Sequence, residues 1–115
     1  MNDKYQRQLK KGILDMLVLN LLQVGPKYGY QIIQELKEQS GEIIVLKDGT
    51  LYPVLYRLED ELLVVSNWKE GEGKQVPRKY YEITKEGVQV LGEIKRSWNQ
   101  ISHCVNEMIG GEEHE

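Results

Sequence analysis

Apolar residues in the first third of the chain recur with the spacing of helices. Between residues 9 and 24 they cover nearly every side of a helix, which predicts a helix buried on most faces and ended by Gly25 and Pro26. A second helix is predicted over residues 28–40, because its apolar positions share one face and Gly41 follows as a stop signal. The short β-branched segment 42–46 predicts a brief strand.

Residues 48–62 carry the most regular helical stripe. Its apolar members recur at spacings of four, three and four residues: Leu51, Leu55, Leu58 and Leu62. Asp48 is the expected N-cap of this helix. The opposite face collects polar and aromatic side chains, namely Thr50, Pro53, Tyr56 and Arg57, with Tyr52 at its flank. Because acidic residues 59–61 lie at the C-terminal end, we expect the N-terminal half to face any phosphate ligand.

A β-hairpin is predicted over residues 63–84. Two extended segments, 63–69 and 78–84, flank a glycine-bearing loop in this region. Tyr80 and Tyr81 are adjacent on the second segment, so they point to opposite faces and at most one is available for contact with a ligand.

The last helix is predicted over residues 85–109, with Thr84 as its N-cap. Its apolar residues alternate at spacings of three and four over about two and a half heptads: Leu91, Ile94, Trp98, Ile101, Val105 and Met108. This spacing indicates a dimerisation helix that pairs with a second copy of the chain. The alternative is that the stripe covers the chain's own core.

Trp98 lies in the middle of this stripe and is large for a tight two-helix layer. Two symmetry-related indoles would form an apolar slot for a planar hydrophobic ligand, or Trp98 would simply anchor the dimer. Trp68, by contrast, is expected to pack within the hairpin. Cys104, beside the stripe, is expected to be a small buried hydrophobe rather than a redox sensor.

The distribution of charged residues along the chain supports a different conclusion from the net charge alone. The 115 residues carry a formal net charge of −3, which at first sight argues against nucleic acid as a partner. Residues 1–11 and residues 74–85, however, each hold four Lys or Arg against one acidic residue, and residues 107–115 are acidic. Two basic blocks on an acidic chain indicate a localised phosphate-binding face, and ordinary solvated clusters are the alternative interpretation.

Composition argues against several classes of protein. A single Cys excludes an internal disulfide framework and fits the reducing cytoplasm, where we expect the protein to be located. No apolar run reaches the length of a membrane span, so we expect no membrane partner. With two His and no paired carboxylates, glycine-rich phosphate loop or metal-ligand spacing, we predict neither an enzyme nor a bound metal or cofactor. The absence of Phe predicts an aliphatic core.

The order of these elements predicts a mainly α fold with a small β-hairpin wing, that is, a winged helix-turn-helix followed by a long C-terminal dimerisation helix. The helix 48–62 would enter the major groove of double-stranded DNA, and the hairpin would lie along the neighbouring backbone. The candidate DNA-binding residues are Thr50, Tyr52, Tyr56 and Arg57 on the helix, Lys74, Arg78 and Lys79 on the hairpin, and Lys10 in the first basic block. Structural roles compete at three of them: Thr50 as a helix-start residue, Tyr52 at the edge of the core, and Arg57 in a pair with Glu61.

Three segments carry a family resemblance: YGYQIIQEL at residues 28–36, DGTLYPVLYRLEDELLV at 48–64 and RKYYEITKEG at 78–87. Over essentially its whole length the sequence resembles the PadR family of bacterial transcriptional regulators. The resemblance implies a homodimeric winged-helix repressor that releases DNA when an effector or stress signal arrives. Some short members of that family bind planar drug-like compounds between paired tryptophans of the last helix, so the resemblance also supports a ligand site at Trp98. The residues that match the family's DNA-contacting segments are Thr50, Tyr52, Arg57, Arg78 and Lys79, although Glu70 and Glu72 dilute the charge of the wing here.

These patterns predict three parts: a winged helix-turn-helix domain over residues 1–84, a dimerisation helix over 85–109 and an acidic tail over 110–115. The predicted function is that of a sequence-specific repressor, which binds a pseudo-palindromic operator as a homodimer and is released by a small molecule. The alternative is a winged-helix adaptor that has lost DNA binding and whose acidic surface meets a basic protein partner.

Overall fold

Five helices and three strands make up residues 3–110, the part of the chain that the computed structural model describes. In chain order they are α1 (Asp3–Lys11), α2 (Leu14–Val24), β1 (Lys27–Tyr28), α3 (Gly29–Gln39), α4 (Asp48–Asp60), β2 (Val64–Lys69), β3 (Arg78–Ile83) and α5 (Lys85–Ile109). The strands form one antiparallel sheet in the order β1-β3-β2. The predicted fold class is confirmed. Of the predicted acidic tail, residues 111–115 lie outside the described residues.

The core is one cluster of aliphatic side chains contributed by α2, α3, α4, the hairpin and α5. Its most deeply buried members include Val18, Leu19, Leu22, Ile32, Leu51, Leu55, Leu58, Val64 and Leu91. Among the buried residues of this cluster, Tyr81 is the one aromatic side chain. The chain has no Phe, so aliphatic burial supplies most of the hydrophobic stabilisation, as the composition predicts.

The helix α4 follows its predicted stripe except at the last position. Leu51, Leu55 and Leu58 are fully buried, whereas Leu62 is 69% exposed. The predicted extension to residue 62 is wrong because the helix ends at Asp60 and Leu62 adopts a left-handed conformation, with φ of 65°. The predicted N-cap is also wrong. Asp48 is the first residue of the helix, where its carboxylate complements the positive end of the helix dipole.

The first predicted helix is in fact two helices. A turn at residues 12 and 13, in which the Ile13 N–H donates to the Lys10 carbonyl at 3.0 Å, separates α1 from α2. Leu9 is therefore on α1 and 75% exposed rather than part of a buried helix.

The predicted strand over residues 42–46 is wrong, because the segment forms a turn instead. Gly41 and Glu42 both have positive φ, 61° and 67°, which ends α3 and reverses the chain. The Ile44 N–H then donates to the Ser40 hydroxyl at 2.8 Å and is not available for pairing with a strand. The third strand of the sheet is instead the two-residue β1, which the sequence pattern does not predict and which pairs with Tyr80 and Tyr81 of β3.

The predicted hairpin is confirmed, with β2 and β3 paired from Val64 opposite Ile83 to Lys69 opposite Arg78. The alternation of the two tyrosines is also confirmed: Tyr81 is fully buried and Tyr80 is half-buried on the other face.

A compact set of hydrogen bonds joins the hairpin to α5. Thr84 is the N-cap, since its hydroxyl oxygen accepts from the Gly87 N–H at 2.9 Å. The Thr84 N–H donates to the Leu63 carbonyl at 3.0 Å, and its hydroxyl lies 2.8 Å from the Leu62 carbonyl. The predicted cap is confirmed. Thr84 also fixes the start of α5 against the beginning of β2.

The helix α5 packs on the chain's own core only along its first part. Leu91 is buried and Ile94 is partly buried against the core. The later members of the stripe are exposed: Trp98 by 44%, Ile101 by 59%, Val105 by 42% and Met108 by 76%. The first half of the stripe therefore covers the chain's own core, as the alternative interpretation has it, and pairing of the exposed second half with another copy stays a prediction. Cys104 is exposed in the single chain, so its predicted burial is not found there.

Candidate nucleic-acid interface

The side of α4 that was predicted to face DNA is exposed to solvent in the structure. Thr50, Pro53, Tyr56 and Arg57 are exposed, while Leu51 and Leu55 on the opposite side are buried. α4 follows α3 after the turn at residues 40–47, and the two helices pack against each other. This arrangement presents the N-terminal half of α4 to solvent between two concave surfaces.

The first concave surface, here called the α1 groove, lies where α1 faces the N-terminus of α4. It has a volume of about 390 Å³ and is lined by Lys4, Arg7, Gln8, Lys10, Lys11, Leu14, Val45, Leu46 and Thr50. The groove brings Lys10 and Thr50 together, although 40 positions separate them in the sequence. Four cationic side chains thus border the first turn of α4, and none of the described side chains that line this groove is a carboxylate.

The second concave surface, here called the tyrosine cleft, lies between α4 and the hairpin. It has a volume of about 560 Å³ and is lined by Tyr28, Gly29, Tyr30, Tyr52, Tyr56, Trp68, Pro77, Arg78, Lys79 and Tyr81. Its cations are Arg78 and Lys79, and among the described residues no carboxylate lines it. Four of the predicted contact residues meet here: Tyr52, Tyr56, Arg78 and Lys79.

Aromatic rings hold the cations of the cleft in place. The Arg78 guanidinium carbon lies 4.4 Å from the centre of the Tyr28 ring. The Lys79 ammonium lies 5.8 Å from the Tyr56 ring and 5.6 Å from the Tyr81 ring. Such cation–π contacts orient the charge without neutralising it, so both groups remain able to bind an anion.

Arg57 pairs with a different acidic residue from the one that the sequence suggests. Its two terminal nitrogens donate to both carboxylate oxygens of Asp15 on α2, at 2.6 and 2.8 Å. The expected pair with Glu61 is not the one found. The hydrogen bond to Asp15 raises the pKa of Arg57, with smaller contributions from the charges of Asp15 and Glu61. The guanidinium is therefore committed to linking α4 to α2.

Tyr52 packs at the crossing of α3 and α4. A Cβ added at Gly29 would overlap the Tyr52 hydroxyl oxygen and lie 2.8 Å from Cζ of the same ring, so the two helices approach closely only because residue 29 is Gly. Burial raises the pKa of Tyr52, and the nearby Asp48 carboxylate adds to the effect. This packing favours the core-edge interpretation of Tyr52.

Other predicted residues divide between the cleft and its surroundings. Trp68 is 70% exposed and lines the tyrosine cleft, so its predicted packing within the hairpin is wrong. Lys74 is exposed in the hairpin loop, apart from the residues that line the two concave surfaces. Tyr30, 63% exposed on α3, belongs to the cleft and was not predicted. Its signal was its place in the segment YGYQIIQEL, which by itself does not say which side chain faces out.

Tyr81 provides the floor of the tyrosine cleft. Its side chain is fully buried, and among the described residues its hydroxyl has no hydrogen-bond partner. Burial raises the pKa of Tyr81 to about 12, with smaller contributions from Tyr56 and Glu59. A buried hydroxyl without a partner is destabilising, so this position is costly unless a bound group supplies an acceptor.

Two other kinds of site are absent from residues 3–110. No helix in this part of the chain is long and apolar enough to cross a membrane. Within the same residues, no three His, Cys, Asp or Glu side chains come together in a group that could hold a metal ion.

Comparison with known proteins agrees with the geometry. The model of the transcriptional regulator PadR-like family matches residues 18–93. The chain is 31% identical over 102 residues to an uncharacterised protein of Lysinibacillus sphaericus, spanning 88% of this chain and 92% of that protein. It is 32% identical over 79 residues to the negative transcriptional regulator PadR of Bacillus subtilis, spanning 69% of this chain and 43% of that protein.

Solved structures give the same result. A transcriptional regulator from Clostridium thermocellum superposes with a TM-score of 0.82 at 31% identity, covering 89% of this chain and 98% of that one. A PadR family transcriptional regulator from Eggerthella lenta superposes with a TM-score of 0.81 at 36% identity, covering 93% of this chain and 90% of that one.

Proposed function

This chain belongs to the PadR-like family of transcriptional regulators, and we propose that it is a repressor that binds a pseudo-palindromic operator in double-stranded DNA as a homodimer. The family is one of regulators rather than enzymes. The observation that carries the proposal is the position of α4, whose exposed N-terminal half lies between the α1 groove and the tyrosine cleft. Cations on both sides of a groove-sized helix suit the two phosphate backbones that border a major groove.

In this proposal the contacts divide by chemistry. Thr50 and Tyr56 on α4 face the major groove and its edges, and Lys10 binds a phosphate on the α1 side. Arg78 and Lys79 bind phosphates on the wing side, and Lys74 reaches the backbone from the hairpin loop. Tyr52 and Arg57 serve mainly to hold α4 in place, through Gly29 and Asp15.

A salt titration tests the wing residues. Binding of a duplex from the chain's own promoter is measured by fluorescence anisotropy at several salt concentrations, for the native protein and an Arg78→Ala, Lys79→Ala double variant. A homodimer of the double variant lacks two cations in each copy, so it no longer neutralises four phosphates. Each of these lowers the slope of log affinity against log salt by about 0.9, so the slope should fall by about 3.6. The control is Lys95→Ala, Arg96→Ala on the exposed face of α5, which should leave the slope unchanged. An unchanged slope in the wing variant would sink the roles assigned to Arg78 and Lys79.

The second half of α5 supports the homodimer. Its exposed stripe from Trp98 to Met108 has the heptad spacing that pairs helices, and burying it against a second copy removes apolar surface from water. Two recognition helices in such a dimer need a separation of about 34 Å to read successive major-groove faces. Sedimentation equilibrium should give a dimer for the native protein and a weaker dimer for Ile101→Glu. A monomeric native protein would refute the arrangement.

We place the effector site at Trp98, where two indoles of the proposed dimer would enclose a planar hydrophobic compound. Titration with such a dye should quench the tryptophan fluorescence of Trp68→Phe as well as that of the native protein. Binding of the dye retained by Trp98→Ala would refute the site.

A well-folded native dimer that does not bind duplex DNA would instead favour the adaptor function, in which the winged fold binds a protein partner.

A further inference from the structure

We propose that the tyrosine cleft is a binding site for a nucleoside monophosphate, which competes there with DNA. The ligand chemistry is a planar ring joined to a phosphate dianion. The site is distinct from Trp98, which lies on α5 and does not line the cleft. Only the competition rests on the proposed DNA-binding function; binding of the nucleotide itself does not.

The size and lining of the cleft suit a ligand larger than a phosphate ion. Its volume of about 560 Å³ lies within the range of small-molecule sites, about 300–1,000 Å³. Six of its ten lining residues are aromatic. A duplex offers phosphates to such a surface but keeps its bases stacked inside, so intact DNA presents no free base face on which these rings could stack.

Three of these aromatic side chains are unusually available for stacking. Tyr30 is 63% exposed, Tyr56 is 50% exposed and Trp68 is 70% exposed, and they belong to three different elements, α3, α4 and β2. Exposed aromatic residues that converge on a concave surface form the kind of platform on which a free base stacks. The exposed rings therefore provide the part of the site that recognises the planar ring.

The cations provide the part that recognises the anion. Arg78 and Lys79 are the charged residues of the lining, so a phosphate dianion balances their charge more closely than a single carboxylate does. The contact of Arg78 with the Tyr28 ring, at 4.4 Å, restrains the guanidinium before any ligand binds. Less conformational freedom then has to be given up on binding.

The buried hydroxyl of Tyr81 is an independent observation that points to a ligand. The residue lines the cleft, its side chain is fully buried, and its hydroxyl has no partner among the described residues. Such a donor is normally satisfied in a folded protein. Because the hydroxyl is buried, the side chains that cover it would have to move apart before a phosphate or ribose oxygen could accept its hydrogen bond. An acceptor reached in this way would give a physical reason for Tyr rather than Phe here.

Nuclear magnetic resonance can locate the ligand, because the chain has two Trp and hence two indole N–H signals. The signals are assigned with Trp68→Phe and Trp98→Phe. Adenosine monophosphate should shift the Trp68 signal and leave the Trp98 signal in place, with an affinity at least about tenfold higher than that of adenosine or inorganic phosphate, since only the nucleotide engages both halves of the site.

Matched variants test the residues. Arg78→Gln and Lys79→Gln should each weaken the nucleotide at least about fivefold, while Lys95→Gln on α5 should bind like the native protein. Two separate cation variants are used so that misfolding of one leaves the other informative. If inorganic phosphate bound as tightly as adenosine monophosphate, the cleft would be a site for an anion alone. If adenosine bound as tightly as adenosine monophosphate, the cations would have no role in binding. Either result, or an unmoved Trp68 signal, overturns the proposal.

The nucleotide is titrated first without DNA, so the two proposals can fail separately. Nucleotide binding in a protein that binds no duplex would overturn the repressor function and keep this site. Duplex binding without any response of Trp68 to the nucleotide would do the reverse. Where both bind, adenosine monophosphate at about ten times its dissociation constant should lower the apparent duplex affinity about elevenfold. An unchanged duplex affinity would overturn the competition.

Discussion

Gly87 is the position where α5 approaches the hairpin most closely, and replacing it by Ala is the sharpest test of this junction. An added Cβ would overlap the Leu63 carbonyl oxygen and lie 2.6 Å from Cγ1 of Ile83. The Leu63 carbonyl also accepts the Thr84 N–H at 3.0 Å. The carbonyl therefore cannot move away from residue 87 without disturbing the N-cap of α5.

These distances allow the loss in the free energy of unfolding of Gly87→Ala to be approximated. Forcing a methyl group into a close-packed region costs about 1–3 kcal/mol. Weakening an N-cap costs about 1 kcal/mol more, whereas exchange of Gly for Ala in a helix returns about 0.5–1 kcal/mol. Together these contributions lead us to expect that Gly87→Ala lowers the free energy of unfolding by about 1–3.5 kcal/mol.

Gly92→Ala is the matched control in the same helix. Its Cβ would meet only Arg96 Nη1, at 3.7 Å, an ordinary contact with a mobile side chain. We expect this variant to gain about 0.5–1 kcal/mol. Both are measured by guanidinium denaturation followed by helical circular dichroism, at one protein concentration because association shifts apparent stability. A Gly87→Ala protein as stable as the native one, or equal shifts in both variants, would refute the close approach.

Three further outcomes follow from the same structure. Tyr81→Phe removes a buried hydroxyl without a partner, so we expect the free energy of unfolding to rise by about 1 kcal/mol in the unliganded protein; a fall of that size in denaturation would contradict the assignment. Because burial raises the pKa of Tyr81 from 10.0 to about 12, the folded state holds this proton more tightly than the unfolded chain, and native stability should decline between about pH 10 and 12, by up to about 1.4 kcal/mol per pH unit. The decline should be shallower in Tyr81→Phe, and identical pH profiles would rule it out. Asp15→Asn breaks the partly exposed fork to Arg57 and should cost about 0.5–1 kcal/mol, whereas Glu61→Gln, which removes the same charge, should cost less; equal costs would deny the fork a specific role.

Local patterns predicted those parts of the fold whose causes are local. The leucine spacing of α4 from Leu51 to Leu58, the alternation of Tyr80 and Tyr81 and the Thr84 cap each depend on residues a few positions apart, and each is confirmed. The segment 42–46 has the composition of a strand, but the positive φ of Gly41 and Glu42 and the bond from Ile44 to Ser40 turn it away from the sheet. Composition cannot show which competing hydrogen bond a segment will form.

The candidate site was harder to predict because its contacts are distant in sequence. Arg57 and Asp15 are 42 positions apart, so the neighbour Glu61 was the natural partner to expect. Trp68 has the alternating pattern of a strand residue, but the face it occupies opens onto a cleft rather than onto the core. The resemblance located the recognition helix and the wing. Only the packing of α3, α4 and the hairpin shows that their aromatic residues meet.

Because α5 is clamped at Thr84 and free after Ile94, its rotational phase sets how two copies can meet. One residue inserted between Leu91 and Trp98 would turn the exposed stripe by about 100° relative to the hairpin. Seven inserted residues would return the stripe almost to its original direction, about 20° away, but carry it about 10.5 Å further along the axis. In the proposed dimer, the number of residues between Thr84 and the exposed stripe would set the distance between the two recognition helices. That distance could then be changed without altering either segment.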